Sequence, residues 1–279
     1  PVDKGSQLIR LAVFGQPVAQ SLSPRIHRLF ALQCDLAVDY RAIEADDDNF
    51  TSLVSRLADE GGRGCNITAP FKHQAWKLSS RCSDDAERAE AVNTLAFNGA
   101  GDWFGANTDG QGLVNDLQSI PGFTVHGARV CLLGAGGAAS GVLAALMKAG
   151  PAAMVLVNRT RQKALDLVQR HLDLGDALAC TPEEAGVHGP FDLVINATSV
   201  GHSGTVPGLS SDWLSPAGCC YDMNYGNAAD PLQRYCTARG IPYSDGLGML
   251  VGQAALAFEI WTGFLPETGG VLSELRRDG

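Results

Sequence analysis

The chain has no apolar run of about 18 residues, the length a membrane-crossing helix needs, so no membrane span is expected. It also lacks a C-x-x-C pair and any His/Cys cluster. Its eight cysteines (Cys34, Cys65, Cys82, Cys131, Cys180, Cys219, Cys220 and Cys236) are scattered through apolar or helical runs. That spacing argues against a zinc site or a disulfide framework, so no metal is expected, and it favours reduced, mostly buried thiols in a cytoplasmic protein. A basic surplus is missing too. Lys and Arg number 21 against 30 Asp and Glu, a net charge of −9, which argues against nucleic acid or an anionic membrane as the main partner. The first residues, Pro1 to Ser6, hold no signal-peptide core. There is no internal repeat and no low-complexity tail. With 279 residues, 45% of them hydrophobic, the chain is long for one core and natural for two domains.

What is present centres on Arg129-Val-Cys-Leu-Leu-Gly-Ala-Gly-Gly-Ala-Ala139. An apolar strand runs straight into Gly134-x-Gly136-x-x-Ala139, and an Ala/Leu-rich helix follows. Gly134 lets the chain turn sharply, Gly136 lets backbone approach a pyrophosphate, and Ala139 is small enough for helix to pack on strand. The loop residues Gly134, Ala135, Gly136, Gly137 and Ala138 then precede a helix whose free N–H groups and positive dipole end suit phosphate. The alternative is a purely structural tight turn. The next strand, Ala153–Val157, ends at Asn158, Arg159 and Thr160. An acid there would accept from a ribose 2′-OH; a neutral amide, a guanidinium and a hydroxyl suit a 2′-phosphate instead, which points to NADP. Arg159 as an ordinary solvated strand-end arginine is the competing reading. Arg161 and Lys163 add charge or form the exposed face of the next helix.

Alternating strand and helix patterns predict an α/β protein with largely parallel sheets. Before the glycine loop the patterns give strands at 8–14, 38–43 and 64–68. Helices are expected at 23–33, with Ser23 at the N-cap and Pro24 first in the helix, and at 49–60, closed by Gly61-Gly62. A hairpin turns around Asn98-Gly99 between 90–97 and 103–105, and a helix covers 108–119. The second half reads as strand 129–133, helix 137–149, strand 153–157, helix 160–171 and strands near 177–180, 193–195 and 219–221. Helices at 246–263 and 267–276 close the chain, the last of them placed back on the first domain. The expected division is a substrate domain at 1–110 completed by helices over 247–279, with a Rossmann domain at 111–246 and a deep cleft between them.

Several polar residues stand where open α/β sheets bind ligands, at the carboxyl ends of strands. Asn66, Thr68 and Lys72 follow one strand, with Pro70 expected to start the next helix. Ser21 and Ser23 follow another, and Asp109 starts a helix in Asn107-Thr108-Asp109-Gly110. Lys72 also reads as a solvated helix lysine, Asp109 as a partner of its helix dipole, and Ser23 as a cap. Hydroxyls, amides, one cation and one carboxylate without a metal set suit a small polyhydroxylated acid.

Eight segments carry a resemblance in order along the chain: Gly15-Gln-Pro-Val-Ala-Gln-Ser-Leu-Ser-Pro24, Asn66-Ile-Thr-Ala-Pro-Phe-Lys72, Ala91-Val-Asn-Thr-Leu95, Asn107-Thr-Asp-Gly110, Gly134-Ala-Gly-Gly-Ala138, Asn158-Arg-Thr160, Asn196-Ala-Thr-Ser199 and Asp245-Gly-Leu-Gly-Met-Leu-Val-Gly-Gln253. Together they resemble the shikimate dehydrogenase family. The resemblance implies a two-domain enzyme of chorismate and aromatic amino acid biosynthesis that reversibly reduces 3-dehydroshikimate to shikimate with NADPH. It implies Lys72 and Asp109 as the catalytic pair, and Ser21 and Ser23 on the substrate carboxylate. Asn66, Thr68, Asn93, Gln253 and Tyr225 are implied as further substrate contacts. Thr198, Met223, Gly246 and Met249 join the glycine loop and Asn158, Arg159 and Thr160 on the cofactor side. Shikimate is the small-molecule partner implied, with a monomer or homodimer as the assembly.

The chain departs from the family pattern at Gln20, often histidine, at Leu22, often lysine, and at Ser140, often arginine. Gly226 to Pro231 after Tyr225 also differs. Other readings of the same residues are a quinate or aminoshikimate paralogue, a non-catalytic ligand sensor, and a folate-linked dehydrogenase. Arg159→Asp is expected to weaken use of NADPH far more than use of NADH in initial-rate assays; equal losses would remove the 2′-phosphate role.

Overall fold

A computed structural model describes residues 8–99 and 101–277; the reading of residues 1–6 lies outside them. The chain forms two compact units. Unit 1 holds the chain up to Thr108 and again from Val251, and unit 2 holds Asp109–Leu250.

Unit 1 begins β1 (Ile9–Gly15), α1 (Ser23–Gln33), β2 (Val38–Glu44), α2 (Phe50–Asp59), β3 (Gly64–Ile67), α3 (Lys72–Leu78), β4 (Arg81–Cys82), α4 (Asp84–Ala89), β5 (Thr94–Phe97) and β6 (Trp103–Ala106). Its sheet runs β2-β1-β3-β5-β6-β4. β1 is parallel to both neighbours and β4 to β6, whereas β5 runs antiparallel to β3 and β6. Period-2 alternation splits the core between the two faces of the sheet. On β1, Ala12 and Phe14 join Phe50, Val54, Cys65, Ile67, Phe71 and Leu95 on one side, while Leu11 packs with Ala96, Ala257 and Trp261 on the other. Each fully buried Leu, Val or Phe contributes about 1.5–3 kcal/mol by leaving water.

Unit 2 runs α5 (Asp109–Gln118), β7 (Arg129–Leu133), α6 (Gly137–Lys148), β8 (Ala153–Val157), α7 (Arg161–Gln169), β9 (Leu178–Cys180), α8 (Pro182–His188), β10 (Phe191–Asn196), β11 (Leu214–Asp222), α9 (Asp230–Thr237) and β12 (Tyr243–Ser244). Every pair in its sheet, ordered β12-β11-β10-β7-β8-β9, is parallel. Both faces are covered, so the strands are apolar on both sides. Val130, Leu132, Met154, Leu156, Leu193 and Ile195 meet α5, α6 and α7. Cys131, Leu133, Val155, Val157 and Val194 meet Ala185, Leu232 and Cys236 from α8 and α9. All eight cysteines are free thiols.

The chain re-enters unit 1 within α10 (Leu247–Thr262), and α11 (Thr268–Arg277) then packs on α1. An Arg25–Glu274 ion pair at 3.3 Å and a Glu267 N–H to Gln33 Oε1 bond at 3.0 Å support that contact.

Three local expectations shift. Leu22, not Ser23, occupies the N-cap of α1, and the capping side chain is Ser21, whose Oγ accepts the Ser23 N–H at 3.2 Å. Pro70 does not open α3: a turn closed by Phe71 N–H to Thr68 O comes first, and the helix starts at Lys72. The strand expected at 90–97 begins only at Thr94. Glu90 takes a left-handed φ of 49° and ends α4, and 91–93 serve as the connection.

Candidate functional site

In unit 1, the carboxyl ends of β1 and β3 and the segment entering β5 gather most of the polar side chains singled out above. Asn66, 5% exposed, has its full hydrogen-bonding capacity used by the protein. Its Oδ1 accepts from the Tyr40 hydroxyl at 2.7 Å and pairs with His27 Nε2 at 3.2 Å. Its Nδ2 donates to Asn93 O and to Thr94 Oγ1, both at 3.1 Å. An amide with two donors and two acceptor lone pairs has nothing left over, so Asn66 organises its neighbours.

Asn93 is the hub of this region. Its Oδ1 accepts from Thr108 N–H at 3.0 Å and from Thr94 Oγ1 at 2.9 Å; its Nδ2 donates to Thr108 Oγ1 at 2.9 Å and to Gln253 Oε1 at 3.3 Å. Thr108 Oγ1 also donates to Gln253 O at 3.0 Å. The start of β5, the chain just before Asp109 and the body of α10 are thereby locked to one amide. Thr68 is half-buried, as is Lys72 on the first turn of α3, whose carbonyl accepts from Val92 N–H. Asp109, the first residue of α5, is buried.

His27 stacks on Tyr40 with 4.3 Å between ring centroids and meets Phe258, Trp261 and Phe30. Burial pushes its pKa down to about 3, opposed by the bond to Asn66. The ring is therefore neutral, with Nε2–H the donor that Asn66 Oδ1 requires. None of Tyr40, His27, Thr94 and Thr108 stood out as a site residue in the sequence. Tyr40 and His27 lie within apolar patterns, and only their partners show that they are polar anchors.

In unit 2, the glycine loop joins β7 to α6. Gly134 takes φ +109°, and a Cβ there would press at 3.2 Å on Ala197 O and Thr198 Cγ2. Gly136 and Gly137 face open space, with no atom within 4 Å of a built Cβ. No side chain caps α6, so its first N–H groups remain available to an anion. Ala139 is fully buried. Asn158 Nδ2 donates to Thr160 O at 2.9 Å and shapes the turn after β8, leaving the Arg159 side chain exposed. Arg161 is engaged by Glu184, so Arg159 is the residue of this turn best placed to meet a phosphate. These residues fit a phosphate-bearing dinucleotide.

The ends of β10 and β11 are tied by a second network. Thr198 N–H and Oγ1 both donate to Asn196 Oδ1, at 3.0 and 2.7 Å. Asn196 Nδ2 donates to Asp222 Oδ1 at 3.0 Å, which also accepts from Asn224. Burial raises the Asp222 pKa, opposed by those bonds. Met223 N–H donates to Asn196 O, and Gly246 N–H to Asn224 O, so Thr198, Met223 and Gly246 share one scaffold. Tyr225 is half-buried just past β11 and precedes a 3₁₀ turn, Gly226–Ala228. Among the described residues no group of three or more His, Cys, Asp or Glu is arranged to hold a metal, and no helix is long and apolar enough to cross a membrane.

A parallel sheet with a glycine turn, an uncapped helix and a strand-end arginine, on one chain with a unit built around buried amides and hydroxyls, defines the class of dinucleotide-dependent dehydrogenases. Residues 13–95 match the shikimate dehydrogenase substrate binding domain, 117–203 the shikimate / quinate 5-dehydrogenase domain and 246–276 the shikimate 5'-dehydrogenase C-terminal domain. A shikimate dehydrogenase (NADP(+)) of Alkalilimnicola ehrlichii is 46% identical, over 96% of this chain and 98% of its own. The Ael1 enzyme of Pseudomonas putida is 40% identical with a TM-score of 0.89, covering 96% of this chain and 98% of that one. The Thermus thermophilus shikimate 5-dehydrogenase, solved with NADP(H) and shikimate, is 32% identical with a TM-score of 0.83, covering 96% and 99%. The chain belongs to the shikimate dehydrogenase family.

The lowered His27 pKa has a measurable consequence. The unfolded chain takes up this proton below about 6.5, the folded chain only near 3. The stability held by the neutral ring is therefore whole above pH 6.5 and drains as pH falls toward 3, by about 1.4 kcal/mol per unit. Between pH 7 and 5, urea unfolding of the wild type is expected to lose about 2 kcal/mol more than that of His27→Gln; parallel pH slopes would contradict a buried neutral ring.

Proposed function

We propose that the chain catalyses the reversible NADPH-dependent reduction of 3-dehydroshikimate to shikimate in the cytoplasm, as a monomer or homodimer. The observation that carries this reading is the buried amide and hydroxyl cluster around Asn93 in unit 1. So dense a polar cluster at strand ends suits a ring bearing several hydroxyls better than an apolar substrate. Family membership supplies the reaction, and unit 1 is assigned to substrate and unit 2 to cofactor.

In this reading Ser21 and Ser23 hold the substrate carboxylate, and Thr68, Asn93, Gln253 and Tyr225 orient the ring. Asn66 acts by fixing Asn93 and Thr94. Gly134 to Ala138 and the α6 N-terminus would hold the pyrophosphate, Asn158, Arg159 and Thr160 the 2′-phosphate, and Thr198, Met223, Gly246 and Met249 the nicotinamide. The bound nicotinamide supplies or accepts the hydride. As the ketone becomes an alcohol, negative charge grows on its oxygen. Lys72 Nζ carries a proton to that oxygen and stabilises the charge, and the Asp109 carboxylate orients the ammonium. In the reverse direction Lys72 Nζ takes the proton back.

The test is initial rate at 340 nm with shikimate or quinate crossed against NADP or NAD, for the wild type and for Lys72→Ala. Turnover confined to shikimate with NADP, lost by about three or more orders of magnitude in Lys72→Ala with shikimate affinity kept, is the expected result. Preference for quinate or NAD would move the chain to a paralogous activity. A large rise in shikimate dissociation constant with turnover intact would make Lys72 a binding residue only.

A further inference from the structure

α10 starts just after Gly246 and carries Met249 in its first turn, which holds no acidic residue of its own; Asp245, just before it, accepts the Leu247 N–H at 3.3 Å. Two side chains from elsewhere in unit 2 meet this turn. The Asp116 carboxylate, from α5, lies so close to Gly248 that a Cβ there would fall 2.0 Å from Oδ1 and 2.5 Å from Oδ2. Only glycine admits the carboxylate at that distance. Tyr221, fully buried on β11, donates its hydroxyl to Asp116 Oδ2 at 2.7 Å. Burial first, then the Asp116 charge, raises the Tyr221 pKa well above its usual range, so the phenol keeps the proton it donates.

We propose that Asp116 and Tyr221 are positioning residues that brace the Gly246–Met249 turn, the surface assigned above to the nicotinamide. This rests on that assignment. The brace runs from α5 through β11 to the first turn of α10. Neither side chain needs to touch the cofactor. Without the brace the turn loses the carboxylate packed against Gly248 and the buried phenol that holds that carboxylate in place, and the surface facing the nicotinamide is no longer held in one place. The pyrophosphate is assigned to the β7–α6 loop and the 2′-phosphate to the turn after β8, and neither depends on this contact.

The experiment compares Tyr221→Phe, Asp116→Asn and Asp116→Leu with the wild type, each variant first checked for an unchanged circular dichroism spectrum. Dissociation constants for NADPH and for 2′,5′-ADP are measured by titration calorimetry, followed by kcat and the KM for shikimate. NADPH affinity and kcat are expected to fall about tenfold or more in Tyr221→Phe, while 2′,5′-ADP affinity and the shikimate KM stay at wild-type values. Asp116→Asn, which keeps an acceptor for Tyr221, is expected to lose less than Asp116→Leu. Equal weakening of 2′,5′-ADP and NADPH would mean a general structural role and overturn the proposal, as would unchanged NADPH binding. A wild type that binds NADPH but does not turn over shikimate would defeat the functional reading instead, and the binding comparison would still judge the brace.

Discussion

One amide carries much of the order in unit 1. Asn93 is 2% exposed, so water cannot complete its hydrogen bonds, and an unmet buried donor or acceptor costs about 1–3 kcal/mol. Its capacity is met by Thr94, Thr108 and Gln253. Thr94 adjoins it, whereas Thr108 and Gln253 lie 15 and 160 residues away, and fixing all three fixes the start of β5, the chain after β6 and a turn of α10. Asn66 repeats the arrangement one strand away. Buried networks of this kind are costly when half satisfied and rigid when complete. A site made from them is in place before any ligand arrives, which is what hydride and proton transfer at a fixed geometry need.

Unit 2 meets a different constraint with backbone. Its parallel strands are apolar on both faces, and N–H donors without a side-chain cap lie where β7 becomes α6. Gly134 makes the turn, and the open space around Gly136 and Gly137 leaves those donors reachable. Side chains enter only at the rim: Asn158 shapes the turn that presents Arg159, and Asn196, Asp222 and Asn224 bind the ends of β10 and β11 together. Asp222 is the strained member. Burial raises its pKa against three hydrogen bonds, and its Oδ2 has no partner.

Elements with a strong period were legible in the sequence. β7 and β8 match their expected bounds residue for residue, because continuous apolar runs between glycine and polar punctuation leave little choice. α8 went unrecognised although Thr181-Pro182-Glu183-Glu184 spells a capping box, and both of its hydrogen bonds form. The start of β5 was misjudged because Ala91 and Val92 extend an apolar pattern that the α4 C-cap interrupts. The motif residues Asn66 and Asn93 were visible. Their different tasks were not, because His27 and Tyr40 reach Asn66 through packing that no local spacing encodes. Asp116 likewise reads as a surface position on an amphipathic helix, and only the glycine at position 248 hints that something must come close.

Hydrogen exchange of the Thr108 backbone amide in the ligand-free protein tests preorganisation most directly. That N–H donates to Asn93 Oδ1 at 3.0 Å in a loop between β6 and α5, where an ordinary amide would exchange quickly. The account predicts protection comparable to that of β3 amides before shikimate or NADP is added. Rapid exchange that slows only when shikimate binds would show that the ligand builds the network, and would contradict the account.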